Sequence, residues 1–178
     1  MLAAVSFIRM SDQPKLKPRT VSESQSEMAE VILPNDANPL GNLLGGRLLH
    51  FIDLAGAMAA HRHSRAYVVT ASMDHIDFLH PVKVGDLLIL KSSVNRAFRT
   101  SMESGVKAYV ENYMTGERKH VSSAYLTFVA VDRAGNRLPV PPLLPETEEE
   151  KERYEGALRR RQAREAEVAL KKARRAKD

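Results

Sequence analysis

Between Leu44 and His61 the chain places Leu44, Leu48, Ile52, Ala55 and Ala59 at i, i+4, i+8, i+11 and i+15, one face of an α-helix. The same run is crowded with small side chains, namely Ala55, Gly56, Ala57, Ala59 and Ala60. A glycine inside a helix costs about 1 kcal/mol relative to alanine, so Gly56 predicts close approach of another backbone. A sheet wrapped around the helix would supply one. This requirement constrains the fold more than any other feature of the chain.

The flanking patterns supply such a sheet. Glu30 to Leu33 reads as a short strand ended by Pro34. After Arg65 the chain reads as strand after strand, over Tyr67–Ile76, Leu87–Val94, the alternating Val106, Ala108 and Val110, and Val121–Val131. Thr115-Gly116 and 132–136 are turns between or after them. One strand, one helix and then four strands with short connections predict an α+β fold, a curved antiparallel sheet with the helix lying across it. Residues 1–27 are polar and aperiodic and read as a flexible N-terminal arm. The globular domain spans 28–145 and is closed by Pro139, Pro141, Pro142 and Pro145. Residues 146–178, rich in Glu, Arg, Lys and Ala, read as a charged surface helix.

Composition removes several classes of function. Without cysteine there are no disulfides, thiolate nucleophiles or thiolate metal sites, which suits a cytoplasmic protein. No run approaches the roughly 20 apolar residues of a membrane span. The apolar start, Met1 to Ile8, lacks the basic lead of a secretory signal, and Met10 is a second candidate start. The formal charge of +5 is spread as one, two and two net positive charges over residues 1–27, 28–145 and 146–178. A nucleic-acid-binding protein concentrates its charge on one stripe, so no nucleic-acid partner is expected. His61, His63, His75 and His80 have no recognisable metal-ligand spacing, and no metal is expected. Gly-x-Ser-x-Gly, P-loop and dinucleotide fingerprints are absent.

What remains is the helix mouth. Gly45 and Gly46 open the helix, where unpaired N–H groups can hold a developing oxyanion. Asp53 lies seven and eight residues further on, about 10 to 12 Å along the axis. An exposed, solvated carboxylate is the bland reading of Asp53. Its helical neighbours Leu49, Gly56 and Ala57 offer no basic partner, which favours a general base acting on water. Asn38, before Pro39, is by itself a turn residue. Arg99-Thr100-Ser101, with Arg96 nearby, reads equally as a hairpin bend or as an anion site.

The segments Leu33 to Gly41, Gly45-Gly46, Ile52-Asp53, Phe78 to Asp86, Arg99-Thr100-Ser101 and Phe128 to Asp132 together resemble the hotdog-fold acyl-CoA thioesterases. The group they most resemble is the bacterial acyl-CoA hydrolases related to cytosolic brain acyl-CoA hydrolase, and the match covers about residues 28–145. The resemblance implies hydrolysis of acyl-CoA to coenzyme A and a carboxylic acid, with coenzyme A as part of the substrate and no cofactor. It implies that Asp53 is the catalytic acid and Asn38 its partner from a second protomer, in a trimer of hotdog dimers. It also implies that Arg99, Thr100 and Ser101 line the coenzyme side, although Ala97-Phe98 stands where many relatives carry glycine. Two other functions fit the same residues: an acyl-CoA sensor without turnover, or a dehydratase pairing His50 with Asp53.

Overall fold

The computed structural model describes residues 16–74 and 76–175. His75, considered above as a metal ligand, and residues 1–15 of the expected arm lie outside the described residues. In chain order the elements are β1 (Arg19–Thr20), β2 (Ser26–Val31), α1 (Gly45–Ser64), β3 (Tyr67–Met73), β4 (Leu87–Ala97), β5 (Ser101–Glu111), β6 (Arg118–Val131), β7 (Leu143–Leu144) and α2 (Glu148–Arg175). Five strands form one antiparallel sheet in the order β2-β4-β5-β6-β3, and β1 and β7 form a separate parallel pair. Sequential hairpins account for the β4-β5-β6 centre. β2 and β3, on either side of α1 in the chain, take the two edges.

The helix lies against one face of this sheet, as its apolar stripe requires. Leu48, Ile52, Ala55 and Ala59 are buried against Leu88, Leu90, Val106, Leu126 and Phe128. Leu44 does not join them. It is the N-cap residue in extended conformation, and its side chain is exposed. Gly56 also departs from expectation. A Cβ there would lie 3.0 and 3.2 Å from atoms of the Phe128 ring, so the glycine makes room for an aromatic side chain and not for a backbone.

Two boundaries move. The arm was expected to reach residue 27, yet Ser26, Glu27 and Met28 pair with Ser92, Lys91 and Leu90 of β4. Arg19 donates to the carbonyl of His63 at 2.5 Å, and Ser24 is buried with its Oγ receiving the Val94 amide. Residues 19–27 are thus held by long-range backbone contacts that no local periodicity reports. The last segment is more than a surface helix. Along Glu148 to Arg164, α2 is docked on the sheet face opposite α1 by guanidinium groups. Arg160 stacks over Tyr125 at 3.6 Å and bonds the fully buried Glu103 through Nε (3.1 Å) and Nη2 (2.6 Å). Arg164 forks onto Asp74 at 2.7 and 2.8 Å. No described helix is long and apolar enough to cross a membrane.

Candidate active site

Asp53 sits two turns inside α1 and is half-buried. Its Oδ1 accepts a 2.7 Å hydrogen bond from Thr70 Oγ1 on the edge strand β3. The pairing of β3 with β6 shifts register between Thr70 and Ser72, and an irregularity of this kind re-aims a side chain relative to a regular strand. The second carboxylate oxygen is left to meet water or substrate. Thr70 was missed in the sequence because β-branched threonine is ordinary in a strand. A hydroxyl in a β-rich run directly after the helix that carries Asp53 was the one available signal.

At the other end of the helix the N–H groups of Gly45 and Gly46 have no intrahelical acceptor, as the geometry of a helix start dictates. Both residues are exposed, and a Cβ at Gly46 would meet nothing within 4 Å. At Gly46 the backbone is open to approach by another molecule. The loop before them is firmly braced. Buried Asp36 accepts from Arg47 Nε at 2.7 Å and from the Leu33 amide at 3.3 Å, and its carbonyl receives the Leu44 amide at 2.9 Å. Asn38 closes the adjacent turn, its Oδ1 accepting the amides of Leu40 (3.0 Å) and Asn42 (3.2 Å). That leaves the carboxamide NH2 without a protein acceptor among the described residues. Turn former and donor-bearing site residue are therefore compatible roles for Asn38.

Beside this mouth lies an apolar trough of about 270 Å3, lined by Leu43, Leu48, Phe78, Leu79 and Val82, with Gly45 at its edge. The ring of Phe78 lies 3.6 Å from where a Gly45 Cβ would stand. Within one protomer Asn38 and Asp53 make no contact. Asn38 is engaged in its own turn before the helix, whereas Asp53 bonds Thr70 of β3 about 12 Å along the axis from Gly45.

The arginine cluster divides. Arg96 is withdrawn as a coenzyme contact. Its guanidinium stacks 3.9 Å over Tyr154, donates to the Tyr154 carbonyl and pairs with Glu155, so it is committed to docking α2. Arg99, Thr100 and Ser101 form the β4–β5 bend, braced by Val140 N to Arg99 O (3.0 Å) and Ala130 N to Thr100 O (3.0 Å). The Arg99 side chain is exposed and makes no ion pair among the described residues. Ser101 pairs with Val129, which pairs with Val69 of β3. The bend therefore lies two strand spacings, about 10 Å, from the strand that carries Thr70. His50 is exposed and its ring packs near Phe51 without a hydrogen bond to Asp53, so the acid–histidine pair of a dehydratase is not formed.

Comparison with known proteins supplies context for this geometry. Residues 40–117 match the thioesterase superfamily. The uncharacterized acyl-CoA thioester hydrolase YkhA of Bacillus subtilis is 43% identical over 132 residues, 74% of this chain and 77% of its own. An acyl-CoA hydrolase from Staphylococcus aureus, solved with butyryl coenzyme A, coenzyme A and coenzyme A disulfide, superposes with a TM-score of 0.81 at 35% identity, covering 87% of this chain and 94% of its own. An apo hexameric acyl-CoA thioesterase reaches a TM-score of 0.83 at 41% identity, covering 87% and 99% of the two chains.

Proposed function

The chain belongs to the hotdog-fold acyl-CoA thioester hydrolases of the thioesterase superfamily, and on that footing we propose that Asp53 of one protomer and the 38–46 segment of a second copy form its active site. The reaction is hydrolysis of an acyl-CoA thioester to free coenzyme A and a carboxylic acid. The observation that carries the site assignment is the half-buried Asp53 carboxylate, held by Thr70 on an open sheet edge.

The Asp53 carboxylate takes a proton from water as the water oxygen bonds to the thioester carbon. The carbonyl oxygen becomes an oxyanion facing the Gly45 and Gly46 amides, and the Asn38 NH2 steadies it or the water. Collapse of the adduct breaks the C–S bond, and the coenzyme thiolate takes the proton back from Asp53. Thr70 acts as a positioning residue, fixing one carboxylate oxygen so that the other faces the water. Arg99, Thr100 and Ser101 are assigned to the coenzyme side, and no further cofactor is invoked.

Sharing between protomers is supported by the separation of the two half-sites within one chain. The edge supports it too. β3 is paired on one side only, contains no proline or lysine, and exposes Tyr67 and Val69 at 50% each. An apolar, unblunted edge of this kind favours pairing with another strand. Three such dimers would give a hexamer, the assembly named for one of the solved relatives.

Mixing tests the shared site. Asn38→Ala and Asp53→Asn proteins are each inactive, and after subunit exchange hybrid dimers regain one intact site of two. Thiol release that stays at the inactive level despite exchange verified by mass would refute sharing. An active Asp53→Asn protein would refute the general base.

A further inference from the structure

A cleft lies on the sheet face turned away from α1, and the hydrolysis proposed above makes no use of it. It encloses about 470 Å3, within the range of roughly 300 to 1,000 Å3 typical of small-molecule sites. β4, β5 and β6 form its floor, and β2 and α2 form its walls. Three cations, Lys91, Lys107 and Arg153, line it against a single carboxylate, Glu27.

The floor is polar. Ser93 and Asn95 are only 7% and 4% exposed. Asn95 gives its Nδ2 to buried Glu103 at 3.1 Å. Neither Asn95 Oδ1 nor Ser93 Oγ has a hydrogen-bond partner among the described residues, and both residues border the cleft. Both atoms open into the cleft, where they can meet ligand groups in place of water. Gly105 keeps that base clear, since a Cβ there would come within 2.8 Å of the Asn95 amide. Arg153 is paired with Glu149 on its own helix, so the two lysines are the freer rim cations. Lys91 meets Glu27 at 3.3 Å and Lys107 meets Glu149 at 4.0 Å, and both lysine side chains are 49% exposed. Exposed pairs of this kind are weak, so a bound anion can take over the ammonium groups at little cost.

We propose that this cleft is a second, non-catalytic binding site for a small hydroxylated anion, a molecule carrying phosphate or carboxylate groups together with hydroxyls. Its charged groups face Lys91, Lys107 and Arg153. A ligand hydroxyl donates to Asn95 Oδ1, and Ser93 Oγ–H donates to a ligand oxygen. α2 contributes Arg153 to the cleft wall, so the C-terminal helix acquires a role beyond stability. The inference goes beyond the hydrolytic reading and stands or falls separately from it.

Calorimetric titration of the assembled protein, saturated with coenzyme A to occupy the catalytic site, tests this directly. The probes are glucose 6-phosphate and citrate, with inorganic phosphate as the anion lacking hydroxyls. One of the two hydroxylated probes should bind with Kd below about 1 mM and more tightly than phosphate. Lys107→Glu and Ser93→Ala should each weaken it about tenfold or more, the loss expected for one charge-assisted hydrogen bond, with unchanged Tm. Asp53→Asn should bind the probe as the wild type does. The proposal is overturned if neither probe saturates, if coenzyme A abolishes binding, or if the two cleft substitutions leave the affinity unaltered.

Discussion

Replacing Arg160 with alanine probes how α2 is held. Glu103 is fully buried and accepts from Arg160 twice and from Asn95 once, while Arg164 Nη2 stands 3.7 Å away. The substitution removes two charge-assisted hydrogen bonds and leaves a desolvated carboxylate. Breaking one partner of a buried pair costs about 3 to 5 kcal/mol. Two features reduce that figure here. Arg164 can swing toward Glu103, and the Arg160 side chain is 26% exposed, so water can partly replace it. We therefore expect a loss of about 3 kcal/mol, which lowers Tm by about 6 to 12 °C in a chain of this size. Urea unfolding at one fixed protomer concentration measures it, since association contributes to apparent stability. The double variant Glu103→Met, Arg160→Met should recover most of the loss, because a packed apolar pair replaces a buried ionic pair at little net cost. Removing the exposed Lys171–Glu167 pair should shift Tm hardly at all. A loss below about 1 kcal/mol for Arg160→Ala, or a double variant no more stable than the single, would refute the clamp.

Further expectations rest on other parts of the molecule. Thr70→Val removes the donor to Asp53 at nearly constant volume and should lower kcat about tenfold or more with little change in KM, while Thr70→Ser retains activity. His63 is fully buried, donates from Nε2 to the Pro141 carbonyl (2.8 Å), and leaves Nδ1 without a partner among the described residues. Burial lowers its pKa from the ordinary 6.5, so the unfolded chain takes up the proton first. Stability is therefore complete above about pH 6.5 and declines as pH falls below it, by at most about 1.4 kcal/mol per pH unit. Tm at pH 7.5 and 5.5 should differ less in His63→Gln than in the wild type. Gly56→Ala gains about 1 kcal/mol of helix propensity but forces its methyl against the fully buried Phe128 ring, where overpacking costs about 1 to 3 kcal/mol. A small net destabilisation is expected, reversed in a Phe128→Leu background, and chemical denaturation of the two backgrounds reads both.

How far the chain could be read in advance follows from the range of each interaction. The stripe Leu48, Ile52, Ala55 and Ala59 was legible because helix periodicity is local, and every one of these residues is buried. The antiparallel β4-β5-β6 run was legible because short turns join these strands, whereas the placing of β2 and β3 at the two edges was not. Residues 19–27 were not legible as structure, since their hydrogen-bond partners lie more than 35 residues away at His63, Val94 and Pro142. Arg96 was misassigned for a related reason. A guanidinium next to a bend fits an anion site equally well until Tyr154 is seen beneath it.

Sequence alone determined the helix with its small-residue face, the glycine mouth, the acid two turns inside, and the antiparallel sheet around them. Each of these depends on spacing within one segment. Tertiary structure decided which groups meet: Thr70 with Asp53 across 17 residues, Arg160 with Glu103 across 57, and Arg164 with Asp74 across 90. Hydrogen bonds and ion pairs act over about 3 Å in space without regard to separation along the chain, so only the folded sheet could bring these partners together.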